Sequence, residues 1–153
     1  MKPSIQKASA AATIFMAAIL GGAAFADESA NKVANTDKLV TCVTEGVQES
    51  FRQAFRRVAE DPVKTGDEKA IIRDVIARQE TSGISLACMS RISGIPEENM
   101  PSAENDKQFA VFYRQHFEDN AFGKALQAVG KIMPAVEAEG LAILKHRSGA
   151  RPN

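Results

Sequence analysis

Tryptophan is absent from this chain, tyrosine occurs once, and histidine and cysteine occur twice each. Each shortage removes a kind of chemistry. Two cysteines and two histidines supply no Cys-x-x-Cys, Cys-x-x-Cys-His or His-Glu-x-x-His arrangement, so the usual zinc and covalent-haem signatures are missing. There is no Gly-x-Ser-x-Gly turn to present a serine nucleophile. The stretch from Asp61 to Gly66 has the first acid and central glycine of a calcium loop. Val63 stands in place of the third-position oxygen ligand, however, and Ile72 in place of the closing glutamate. Neither charge sign dominates either, with 19 Lys and Arg against 19 Asp and Glu.

What is present begins at the first residue. Lys2 and Lys7 precede an apolar, alanine-rich run from residue 8 to residue 20, followed by Gly21-Gly22 and the small-residue site Ala24-Phe25-Ala26. That order is the layout of a cleaved secretory signal, and the run is shorter than the roughly 20 residues a bilayer requires. Residues 1–26 are therefore read as a signal peptide, which places the protein in the periplasm or outside the cell with no stable membrane insertion after cleavage. The two signal lysines account for two of the 19 cations, so residues 27–153 carry 17 against 19 acids. A slightly negative chain lacks the positive excess that nucleic acid or an anionic membrane would demand.

An oxidising compartment changes the meaning of Cys42 and Cys88, which are expected to form the one available disulfide. Closing a loop of 47 residues, 42 through 88, corresponds to about 4 kcal/mol in the chain-entropy picture. A cysteine so tied is not a nucleophile.

The rest of the chain reads as helix. Residues 27–35 are small and polar and are taken as a flexible leader, with Thr36-Asp37 capping the first helix. Val40, Val43, Val47, Phe51, Phe55 and Val58 then recur at three and four residues, a period no strand shares. A second ridge on this helix, Cys42, Gly46, Ser50 and Ala54, is small throughout and predicts close approach by the segment bearing Cys88. Glu49 and Arg52 are expected to pair on its wet side. A second helix is predicted from Asp67 to about Glu80, with Ala70, Ile71, Val75 and Ile76 inward and Thr81-Ser82-Gly83 closing it. A third aligns Ile84, Cys88 and Ile92. Residues 93–106 form an acidic surface loop with one helical turn after Pro96, and Ser102 is the expected cap of the next helix.

Phe109, Phe112, Tyr113, His116 and Phe117 share one face of that fourth helix, and Leu126, Val129, Ile132 and Met133 continue its apolar pattern to Pro134. Pro134 either kinks one long helix or begins a new one, the arrangement that Glu137 and Glu139 in the next turn favour, and the apolar side beyond it is Val136, Leu141, Ile143 and Leu144. The predicted architecture is all-α: a single domain over residues 36–148, a compact bundle of four to six short helices with one disulfide between the first and third, and a disordered tail over 149–153.

Function is read by weighing classes. His116, set among aromatic rings, is expected to serve the core edge, and His146 and Lys145 the end of the last helix dipole. No catalytic residue, cofactor or metal ligand is assigned. The leading expectation is a non-catalytic exported protein that binds another exported protein as an accessory, chaperone-like or inhibitory module. Phe109, Phe112, Tyr113 and Phe117 are the candidate partner-binding face, because aromatic side chains dominate interface energetics, set against the expectation that a chain with no tryptophan and one tyrosine needs these rings to build its core. A small haem or metal carrier, ligated by His116 or His146 with Met89, Met100 or Met133, is the alternative from another class. The export signal and the one disulfide spanning about 47 residues also resemble the small periplasmic acid-stress chaperones of the HdeA type, which implies opening at low pH.

Overall fold

The computed structural model describes residues 14–61, 67–102 and 105–149. Its elements are α1 (Ile14–Glu60), α2 (Glu68–Arg78), α3 (Ser82–Ser93), a single 3-10 turn (Glu97–Asn99), α4 (Asp106–His116) and α5 (Ala121–Gly149), with no strand among the described residues. The first 13 residues of the expected signal and the last four of the expected tail lie outside the described residues, as do residues 62–66 of the rejected calcium loop.

At 47 residues and about 1.5 Å of rise each, α1 is roughly 70 Å long. The expected leader, residues 27–35, is part of it. Alanines at 30 and 34 favour helix, and Lys32 pairs with Glu28 one turn back at 2.8 Å, so nothing in this stretch breaks the hydrogen-bond ladder. Thr36 is correspondingly inside the helix and caps nothing at its start. Its side chain is fully buried and accepts a hydrogen bond from the Glu118 N–H at 3.0 Å, while Asn35 Nδ2 donates to the His116 carbonyl at 3.1 Å. Two polar residues that look like a helix start instead hold the turn between α4 and α5.

Beyond Thr36, α1 offers two faces. Leu39, Val43, Val47, Phe51 and Phe55 are buried on the first, against α5. Contacts near Thr36 and Glu118 at one end and Phe55 and Gly140 at the other show that these two helices run parallel. The second face is the small ridge, and α3 packs along it in the opposite direction. Cys42 bonds Cys88 with a Cα–Cα distance of 5.9 Å, a β-carbon at Gly46 would stand 2.7 Å from Ile84 Cγ2, and Ser50 Oγ accepts from Gln79 Nε2 at 2.7 Å. The disulfide joins the first helix to the third, as the sequence predicts.

Local details shift several boundaries. Asp67 caps α2 through a bond from the Lys69 N–H, and α2 buries Ile72 and Val75 while Ala70 faces solvent, because the helix rotates to present its bulkier residues to α1 and α5. Ser82 and Gly83 open α3 rather than close α2. Gly94 ends α3 at φ +73°, a left-handed conformation that favours glycine. Asn105, not Ser102, caps α4, accepting from the Gln108 N–H. Phe117 is extended (φ −132°, ψ 163°) and breaks the chain between α4 and α5, so the apolar pattern does not run through as one helix.

Pro134 lies inside α5 instead of beginning a new helix. Proline removes one intrahelical donor, but both Pro134 and Gly130, whose carbonyl would have received it, are exposed to water. Val129, Ile132, Met133 and Val136, packed in or against the core, carry the helix through the defect. Gly140 sits where a β-carbon would come within 2.8 Å of the Phe55 ring, and Phe55 is fully enclosed and unable to yield. Gly140→Ala is therefore expected to lower stability by about 1–3 kcal/mol in thermal or urea unfolding. Gly123→Ala, with nothing within 4 Å, should raise it by up to about 1 kcal/mol through helix propensity alone.

Candidate partner-binding groove and the aromatic face

The aromatic residues of α4 form a connected cluster. Phe109 stacks on Tyr113 at 6.2 Å between centroids, Phe112 meets His116 at 4.8 Å, and Phe117 packs edge-on to Phe112 at 6.3 Å. Phe112 and Phe117 are buried, and Phe109 and Tyr113 pack against the core with part of their surface exposed. Of the four rings named from sequence as a candidate binding face, Phe112 and Phe117 belong to the hydrophobic core and Phe109 and Tyr113 lie at its edge. The reason is compositional: a chain without tryptophan fills this end of the bundle with its phenylalanines.

The polar atoms of the cluster are engaged locally. His116 Nδ1 lies 3.0 Å from the Phe112 carbonyl oxygen, and because that partner only accepts, the nitrogen carries the proton. The histidine so bonded finishes α4. Tyr113 Oη accepts from the Phe122 N–H at 2.7 Å, and burial holds its phenol above the ordinary tyrosine range, so it remains neutral. His146 is exposed near the end of α5. Among the described residues no three of His, Cys, Asp and Glu converge as metal ligands would.

Exposed apolar surface lies elsewhere, at Val33, Val111, Phe122 and Leu126. Leu126, counted inward by its spacing, faces solvent because the break at Phe117 resets the rotation of α5. Val111 is 57% exposed and lines a concavity of about 490 Å³ between α4 and the connection that precedes it. Ile95, Pro101, Val111 and Phe112 give this groove an apolar lining, and Asn99, Gln108 and Gln115 bring three carboxamides to it. Phe112 is the only one of the four proposed rings to reach it. The spacing of Gln108, Val111 and Gln115, three and four residues apart, was the available sequence signal for this face.

A larger concavity of about 650 Å³ lies between α1 and α3, with Cys42 and Cys88 in its lining. On the α1–α5 side, Arg52 donates from Nε and Nη2 to the Glu139 carboxylate and from Nη1 to Glu49. Arg52 therefore clamps two helices instead of decorating one wet face. Bonds from Gln53 and then Arg52 hold the Glu49 carboxyl below its usual range, and the bond from Arg52 does the same for Glu139. A lowered folded-state pKa adds stability that is complete above the ordinary glutamate value near 4.5 and disappears as pH falls through the folded value. Arg52→Gln should accordingly melt below the parent at neutral pH, and the gap should close as the pH is lowered from about 5 toward 2 in a calorimetric series.

Among the described residues no helix is long and apolar enough to cross a membrane, and together with the disulfide this is compatible with export. In comparisons with known proteins, no family model, curated protein or solved structure matches the chain.

Proposed function

We propose that this protein is an exported, non-catalytic helical module, periplasmic or secreted, that binds another exported protein in an accessory, chaperone-like or inhibitory role. The observation that carries the reading is Val111. A β-branched side chain held largely in water, beside a groove with an apolar lining and carboxamides, favours a partner able to cover it. Carboxamides supply both donors and acceptors, which suits the backbone of a bound segment, and Lys107 is the one charged side chain of the lining. The signal-like N-terminus and the disulfide support export.

A second reading, an acid-opened chaperone, is favoured by the clamp at Arg52. Protonation of Glu49 and Glu139 would weaken the tie between α1 and α5 while the cations keep their charge, so self-repulsion would loosen the bundle and uncover the aromatic cluster. On that reading an apolar dye should fluoresce on binding at pH 2 and not at pH 7; equal signals at both would rule it out.

The main reading is tested by placing a photo-crosslinking residue at Val111 and, as a control, at the exposed Lys131 on α5. Expressed with its leader, the Val111 form is expected to capture a discrete exported protein that the Lys131 form does not. Equal labelling from both positions, or none, would refute it.

A further inference from the structure

The larger groove points to a chemistry separate from partner binding. Its lining contains both members of the disulfide, with Cys88 buried and Cys42 partly exposed. Because α1 and α3 run antiparallel, Lys38, one turn before Cys42, and Arg91, one turn after Cys88, fall at the same end of the groove. Asp37 shares that end, which carries a net positive charge, and Glu45 lies toward the other, beside Gly46 and Ile84. Among the described residues neither Lys38 nor Arg91 is held in an ion pair or hydrogen bond. The space, about 650 Å³, is sufficient for a tripeptide-sized molecule, and Thr41 and Ala87 in its lining are small.

We infer that this groove is a thiol–disulfide exchange site at Cys42 for a small zwitterionic thiol that carries carboxylates. The two free cations receive the carboxylates and attract the thiolate form, and Asp37 or Glu45 receives the ammonium group. The incoming thiolate sulfur attacks Cys42 Sγ, on the less buried residue of the pair. A new sulfur–sulfur bond forms to Cys42 as the Cys42–Cys88 bond breaks, and Cys88 Sγ leaves with the electron pair and takes a proton from water. No outside oxidant or reductant is required, since the thiol is itself the co-reactant. The product bears the small thiol on Cys42 in a groove whose α3 wall stays packed on the core through Ile84, Leu86, Met89 and Ile92.

The test uses the full oxidised chain, with glutathione as the zwitterionic probe and 2-mercaptoethanol as a thiol without carboxylates, quenched by alkylation and mapped by peptide mass. The expected adduct is glutathione on Cys42 with Cys88 alkylated. Lys38→Glu with Arg91→Glu should slow the glutathione reaction about tenfold and the 2-mercaptoethanol reaction, whose thiolate has no carboxylates for the two cations to hold, by clearly less. Both substitutions are at exposed positions, and a circular dichroism spectrum checks that the helices persist. Rising salt, applied to the unaltered chain, should slow glutathione more than 2-mercaptoethanol and gives a second reading independent of mutation. An adduct on Cys88, an adduct only after denaturation, or equal sensitivity of the two thiols to charge and salt would overturn the assignment.

Discussion

One helix has to satisfy two neighbours at once, and the rest of this structure follows from how α1 divides its surface between them. The bulky stripe from Leu39 to Phe55 meets α5, and the small ridge meets α3 at Cys42 and Gly46 and the end of α2 at Ser50. Size is the discriminating property. Large apolar side chains fill the space to a parallel helix that has its own side chains to contribute, whereas glycine, serine and cysteine let the α3 backbone come close enough for a sulfur–sulfur bond. The same logic operates in reverse at Gly140, where α5 gives up its side chain so that the Phe55 ring can lie against its backbone.

The polar residues of the bundle work at its joints. Asn35 and Thr36 reach from α1 to the turn at residues 116–118, and a buried hydroxyl satisfied by one backbone N–H stabilises a junction that apolar packing alone would leave free to slide. Gln79 and Ser50 do the same where α2 gives way to α3, and Arg52 ties α1 to α5 through Glu139. These joints lie at different heights along α1, so the connections are fixed by geometry that hydrophobic burial does not specify.

Much of this was legible in the chain. The helical period, the small ridge and the cysteine pair gave the all-α class and the neighbour of the first helix, because each is a property of local spacing. Thr36 misled because a threonine before an apolar run has two uses, as a cap or as a buried donor and acceptor, and only the distant Glu118 decides between them. Pro134 misled for a similar reason: its cost within a helix depends on whether water reaches the carbonyl it orphans. The aromatic face was visible but its destination was not, since spacing shows that Phe112 and Phe117 share a side without showing that the side is turned inward. Each groove lies between two segments separate in sequence, such as Ile95 with Val111 and Lys38 with Arg91, so a local pattern like Gln108, Val111 and Gln115 marks one wall without showing what faces it.

The two concavities share a cause with the fold. Small residues on α1 create the approach of α3 and the groove above the disulfide together, and the loop that closes over α4 leaves Val111 uncovered. The approach of α3 to α1 rests on the contact of Gly46 with Ile84, whose Cγ2 branches directly from its β-carbon. A double-mutant cycle on the oxidised protein measures this most directly. Gly46→Ala should destabilise the parent and do so by at least about 1 kcal/mol less when Ile84 is also alanine. Equal effects of Gly46→Ala in both backgrounds would mean that α3 does not lie on the small ridge, and the account would fail at its foundation.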